Sequence, residues 1–154
     1  MKNIVVNYFC NLYTSVKPSS DNFERVTRTV QCRVSDGNRI LLDRLFSVEE
    51  IRKAAFDMHP TKASGPDGLP ALFYQRFWSA VGEGITSACL RCLNEGDSVD
   101  IISNTLIALI TKGRQAECMA DIWPISLYNV TYKIVAKALA NRFRLVLGEV
   151  VSKT

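Results

Sequence analysis

The stretch that most constrains the fold is Tyr128 to Leu147, a long run without glycine or proline. At about 100° per residue, its basic side chains fall within one narrow stripe of a helix, and apolar side chains cover most of the remaining surface. Such a helix has to be buried on most sides, so other elements must pack around it. The stripe consists of Lys133, Lys137 and Arg144, and the apolar positions are Val130, Ile134, Val135, Leu139, Phe143 and Val146.

Local capping chemistry predicts a second helix. Ser47 can accept a hydrogen bond at a helix start, and Glu50 stands three residues later, as in a capping box. This helix is therefore expected to span Val48 to Met58. Apolar spacing also predicts a short amphipathic helix from Asn3 to Ser15.

Proline and glycine divide the next apolar segment. Pro70 suits the first position of a helix that carries several large apolar residues. Gly82 and Gly84 are expected to interrupt the helical pattern. A further helix from Ile85 to Asn94 should then end with Gly96 as its C-terminal cap.

Two short apolar runs predict strands. The run from Thr105 to Thr111 is rich in isoleucine and threonine, and a second run includes Ile125 to Leu127. The two are expected to pair as a hairpin with a long loop. The predicted fold class is α+β: mostly helical, with a small antiparallel sheet.

The segment after the first helix is polar and predicts a linker. It should hold one strand around Val30 to Val34 and a turn at Asp36-Gly37. We accordingly expect two parts of the chain, a connecting segment over residues 1–43 and a compact part over residues 44–154.

Composition fits an ordinary globular chain of 154 residues with a net charge of +4. This mild basic excess tolerates a polyanionic partner without requiring one. No apolar run approaches the ~20 residues of a membrane span, so no membrane partner is expected. The five cysteines suit a reducing compartment, and Cys89 and Cys92 are interpreted as core residues rather than as zinc or redox ligands.

The stretch "PTKASGPDGLP" places a lysine before two glycines. A Walker phosphate loop needs the lysine after the second glycine, so the spacing excludes that motif. On the residues alone, Pro66-Asp67-Gly68 forms a turn ahead of the helix that Pro70 opens, and Lys62 is exposed.

Three ordered motifs carry a resemblance to a known family. They are "HPTKASGPDGLPALFYQRFW", "NTLIALITK" and "PISLYNVTYKIVAKALANRF". In order and separation they resemble the fingers and early palm of reverse transcriptases from LINE-type (non-LTR) retrotransposons, especially the plant branch. "NYFCNLYTS" and "RLFSVEEI" look like the connecting segment that precedes the polymerase in those proteins.

The resemblance implies roles for two lysines. Lys62 matches a lysine near the template or nucleotide path, and Lys112 matches a strand-end lysine directed at the incoming nucleotide. A cation at Lys112 would offset triphosphate charge; the alternative is a solvated lysine at a strand end. Thr111 stands where the family has proline, and Trp123 replaces an arginine that supports the nucleotide phosphates.

The family's metal-binding carboxylates do not occur in these residues. The sequence contains no Asp-Asp and no Tyr-x-Asp, whereas the intact family holds two Mg²⁺ ions with such motifs. No catalytic residue, metal ligand or cofactor is therefore assigned. We expect a truncated reverse-transcriptase domain without polymerase activity on its own, located in the nucleus or cytoplasm.

Two alternatives remain for what such a chain does. A basic set made of Lys62, Lys112, Lys133, Lys137 and Arg144 could bind RNA or an RNA–DNA hybrid through phosphates, or simply face solvent. Exposed apolar residues, among them Phe143, Leu145 and Leu147, could instead make it a self-associating interaction protein.

Overall fold

The computed structural model describes residues 2–29, 34–113 and 115–150. Its helices and two-stranded antiparallel sheet confirm the predicted α+β class. The chain forms two compact units, Met1–Arg33 with Leu109–Ile125, and Val34–Ala108 with Ser126–Thr154. The expected division at residue 43 stays a prediction. None of the described helices is long and apolar enough to cross a membrane.

Helix α7 (Val130–Val150) forms the centre of the second unit, as its sequence predicts. It packs against earlier helices of the same unit, and its residues Val130, Ile134 and Val146 are fully buried. The helices of this unit are α3 (Asp36–Asp43), α4 (Val48–Phe56), α5 (Ala71–Arg76), α6 (Trp78–Leu90) and α7 (Val130–Val150).

The apolar cover of α7 is less complete than the helical pattern predicts. Leu139 is 49% exposed and Phe143 is 51% exposed. Neighbouring helices bury Ile134 and Val146 but leave Leu139 and Phe143 about half exposed. The apolar surface expected around Phe143, Leu145 and Leu147 is present, since all three are exposed.

The predicted helix start at Ser47 is confirmed. Its hydroxyl accepts from the Glu50 backbone N–H at 3.3 Å, and the Glu50 carboxylate accepts from the Ser47 N–H at 3.0 Å. The same carboxylate binds Arg142, a residue of α7 that is only 4% exposed. The capping box therefore fixes both the start of α4 and its position on α7.

The predicted break at Gly82 and Gly84 is wrong, because both glycines lie inside α6. The chain instead kinks at Phe77, where α5 ends and α6 begins. A Cβ on Gly82 would lie 2.7 Å from the ring of Trp78, so this glycine leaves room for the ring against its own helix. The predicted cap at Gly96 is confirmed: it follows a π-helical turn, Arg91–Glu95, with φ of 77°.

A helix replaces part of the predicted polar linker. In the first unit, α1 (Lys2–Tyr13) is the expected amphipathic helix, and α2 (Ser20–Thr29) lies where a linker was expected. Asp21 in its first turn, Arg28 in its last turn and a Glu24–Arg28 ion pair at 2.7 Å favour α2.

The predicted Asp36-Gly37 turn is likewise wrong, because it lies within α3. The hydroxyl of Ser35 caps this helix by accepting from the Asn38 N–H at 3.4 Å. Of the strand expected around Val30 to Val34, residues 30–33 lie outside the described residues.

The predicted hairpin is confirmed. Strands β1 (Thr105–Thr111) and β2 (Ile122–Tyr128) pair directly, and a loop that contains a short 3₁₀ turn, Met119–Asp121, connects them. Beyond β1, the Lys112 N–H donates to the Asp121 carbonyl at 2.8 Å and prolongs the ladder by one bond.

Candidate nucleic-acid interface

The loop that carries Lys62 is closed by a tight turn. The Gly68 N–H donates to the Gly65 carbonyl at 3.0 Å, and Gly68 has φ of 69°, a conformation that favours glycine. Asp67 accepts from the Leu69 N–H at 3.1 Å and from the Tyr74 hydroxyl at 3.2 Å. The predicted turn is confirmed, with Lys62 exposed beside it.

The start of α7 fixes this loop in place. A Cβ on Gly65 would lie 2.3 Å from the backbone nitrogen of Asn129, so only glycine allows this approach. The Asn129 side-chain carbonyl accepts from the Asp67 N–H at 3.3 Å. The loop is therefore bound to the very residue that precedes α7, and this contact brings Lys62 toward the basic stripe of the helix.

Three of the predicted lysines meet in one groove, which we call the lysine groove. Its volume is about 420 Å³, and it lies between the loop after α4 and the first turns of α7. Its lining residues are Asp57, Met58, His59, Lys62, Lys133, Ala136 and Lys137.

Lys133 is the most constrained of the three. Its ammonium group donates to the Ala63 carbonyl at 2.6 Å and so ties α7 to the loop. Partial burial lowers its pKa, Asp67 opposes this with its negative charge, and Lys62 lowers the pKa further. Lys133 thus has both a structural contact and a positive charge near that of Lys62.

Lys62 and Lys137 keep their charges available. Among the described residues, neither ammonium group has an ion-pair or hydrogen-bond partner. The acidic residue of the groove, Asp57, is occupied elsewhere: its carboxylate binds Lys53 at 3.0 Å and accepts from Asn141 at 3.0 Å. Those contacts, together with the charges of Lys53 and Lys137, hold the pKa of Asp57 below its usual value, and the groove keeps a positive character.

The other two predicted residues do not line this groove. Arg144 is exposed on α7 and does not line it. Lys112 lies in the first unit at the end of β1, where its ammonium group donates to the Ala120 carbonyl at 2.7 Å. Its assignment as a nucleotide contact stays a prediction.

Sequence reasoning missed three residues that build the site. His59 lines the groove, Asn129 holds the loop, and Arg142 fixes α4 on α7. A sequence pattern marks only the last: Arg142 lies four residues from both Ala138 and Val146, on the buried stripe of the helix.

No group of three or more His, Cys, Asp or Glu side chains capable of holding a metal occurs within residues 2–29, 34–113 and 115–150.

The Cys89 thiol is buried, which raises its pKa to about 12, with a smaller contribution from Cys92. This fits its interpretation as a core residue.

One relative comes from a transposon. The chain is 27% identical over 145 residues to a Xenopus laevis protein described as "Transposon TX1 uncharacterized 149 kDa protein". The match covers 94% of this chain, which spans 11% of the length of that relative. This similarity supports a transposon origin. No protein-family model matches the chain.

Proposed function

We propose that residues 44–154 form the fingers and early palm segment of a reverse transcriptase from a non-LTR retrotransposon of the plant branch, and that residues 1–43 form the connecting segment that precedes it. In this proposal the segment binds RNA or an RNA–DNA hybrid and has no polymerase activity on its own. The observation that carries the binding role is the lysine groove, where Lys62 meets Lys133 and Lys137 of α7.

The physical basis is the release of counterions from the nucleic-acid backbone. Each ammonium group that neutralises a phosphate releases a counterion, so the affinity depends on salt and little on sequence. Lys62 and Lys137 supply free charges, and Lys133 orients the loop through Ala63. Lysine suits this task, because its ammonium group is a flexible point charge.

Charge reversal in the groove tests this proposal. The Lys62→Glu/Lys137→Glu variant should bind labelled single-stranded RNA, and an RNA–DNA hybrid, at least about tenfold more weakly than the unaltered chain in fluorescence anisotropy. The matched control is Lys17→Glu/Arg76→Glu. It changes net charge equally at two exposed residues outside the groove and should lose far less affinity.

Near-UV circular dichroism of each variant verifies that the packing is intact. An equal loss of affinity in the two double variants would contradict a defined site, because it would show that net charge alone governs binding. Arg144→Glu should have a smaller effect than Lys137→Glu, since Arg144 does not line the groove.

Exposed apolar side chains favour a second candidate function, self-association. Leu42 and Phe46 line a groove of about 380 Å³ together with Leu139, Phe143 and Leu147 of α7. Apolar surface of this kind promotes association. Concentration-dependent oligomers that disappear in Phe143→Ser/Leu147→Ser would support this function, and a monomer at every concentration would exclude it.

A further inference from the structure

A second groove, which we call the α6 groove, lies on the second unit between α6 and the start of α4. Its volume is about 540 Å³. Val48, Trp78 and Leu90 give it an apolar floor, and Val48 is exposed although it is a large apolar residue. An exposed apolar floor within a concave surface is typical of a site that binds another molecule.

The position of Trp78 shapes this floor. The absence of a side chain at Gly82 lets the indole lie against α6, and Phe56 contacts it edge to face, with ring centroids 5.6 Å apart. Tryptophan and other aromatic residues are enriched in the anchor regions of protein interfaces.

The charges around this floor are negative. Glu83 and Glu95 line the groove, and neither carboxylate has a hydrogen-bond or ion-pair partner in the part of the chain that the structure describes. Arg91 also lines it, but its guanidinium binds Asp97 at 2.8 Å and is largely neutralised. A chain with net charge +4 therefore presents here a locally negative groove.

A threonine hydroxyl in the groove provides a further observation. Thr86 lines the groove and is only 7% exposed. Its hydroxyl has no hydrogen-bond partner among the described residues. The hydroxyl oxygen is not among the fully buried polar atoms that lack a partner, so it keeps contact with solvent and can hydrogen-bond a backbone N–H or C=O of a ligand in the groove.

We propose that the α6 groove binds a basic peptide segment of a partner protein, one with apolar side chains flanked by Lys or Arg. The apolar side chains contact Val48, Trp78 and Leu90, and the cations meet Glu83 and Glu95. The peptide backbone hydrogen-bonds Thr86. Nucleic acid is disfavoured, because its phosphates would face two carboxylates.

Fluorescence of Trp78 provides the test. The chain has two tryptophans, so Trp123→Phe leaves Trp78 as the one indole that reports. The probes are two short acetylated and amidated peptides with identical leucine positions, one with lysine and one with glutamate at every other position. We expect the lysine peptide to shift Trp78 emission to shorter wavelength and to saturate, and the glutamate peptide to leave it unchanged.

Substitutions in the same background locate the contacts. Glu83→Gln/Glu95→Gln should weaken binding of the lysine peptide by roughly fivefold, because two exposed ion pairs with the peptide are lost. Glu117→Gln/Glu149→Gln removes equal charge outside the groove and should leave it unchanged. Thr86→Val keeps the side-chain shape and should weaken binding by roughly threefold through the lost hydrogen bond.

Several results would overturn this proposal. Equal binding of both peptides would show nonspecific apolar adhesion, and equal weakening by the two glutamine pairs would show a general charge effect. A shift of Trp78 emission with protein concentration alone would make a second copy of the chain the occupant. A shift caused by single-stranded RNA but not by the lysine peptide would make the groove a nucleic-acid site.

Discussion

Arg142→Met should cause the largest loss of stability among the polar substitutions in this chain. The guanidinium is buried on α7 and makes a bidentate pair with Glu50, with Nη2 at 2.9 Å from each carboxylate oxygen. It also donates to the carbonyls of Leu42, Arg44 and Leu45. Its Cζ lies 3.4 Å from the centroid of the Phe46 ring.

The magnitude follows from burial. Removing one partner of a buried ion pair costs about 3 to 5 kcal/mol, because the other charge and the bound carbonyls are left without partners. The matched control is Lys53→Met, which removes the exposed pair with Asp57; pairs of that kind contribute about 0.3 to 0.5 kcal/mol. Urea unfolding followed by circular dichroism gives both free energies of unfolding.

A double-mutant cycle separates the contribution of the Arg142–Glu50 ion pair from that of the other contacts of Arg142. In Glu50→Gln/Arg142→Met, the loss should be smaller than the sum of the single losses, since the second substitution removes a charge that the first has already left unpaired. If Arg142→Met costs no more than Lys53→Met, the buried pair does not hold α4 on α7, and this account of the core is wrong.

Other predictions concern glycines, pH and thiols. Gly84→Ala should raise the free energy of unfolding by about 0.5 to 1 kcal/mol. Gly82→Ala should instead lower the free energy of unfolding by about 1 to 3 kcal/mol relative to the unaltered chain, because its Cβ would meet the Trp78 ring. Thermal unfolding measures both changes. Burial raises the pKa of Glu50, but the Ser47 N–H and the charge and hydrogen bonds of Arg142 outweigh it and leave the pKa lowered. The stability that Glu50 contributes is therefore present above its unfolded pKa of 4.5 and lost as pH falls through the folded value; Glu50→Gln should flatten this acid dependence in urea titrations. Iodoacetamide should label the exposed Cys10 quickly and the buried Cys89, with its pKa of about 12, only after unfolding, as mapped by mass spectrometry.

Local chemistry made part of the fold predictable. Three features act within a few residues of the chain. They are the capping box at Ser47, the glycine cap at Gly96 and the short apolar runs with polar residues on either side. The structure has the corresponding helix start, helix end and hairpin.

The failures come from interactions that sequence order hides. Gly82 was expected to break a helix, but the ring of Trp78 packs against it and the helix continues. Helix α2 has few apolar residues, so its polar composition predicted a linker although the Glu24–Arg28 ion pair favours a helix. The burial of Arg142 depends on carbonyls about a hundred residues earlier in the chain.

The lysine groove was likewise predictable only in part. Helical spacing placed Lys133 and Lys137 on one stripe, and the structure places both in the lysine groove. The same spacing added Arg144, which lies beyond the groove. The convergence of Lys62 with these lysines depends on the close approach of Gly65 to Asn129, a tertiary contact without a local pattern.

The salt dependence of RNA binding tests the central claim most directly. Three lysines that each neutralise one phosphate predict a slope of about −2 for log affinity against log salt with single-stranded RNA. In Lys62→Glu/Lys137→Glu this slope should become shallower by about 1.4, and Lys17→Glu/Arg76→Glu should keep the original slope. An unchanged slope in the groove variant, or no salt-dependent binding by the unaltered chain, would contradict the claim that the lysine groove binds nucleic acid.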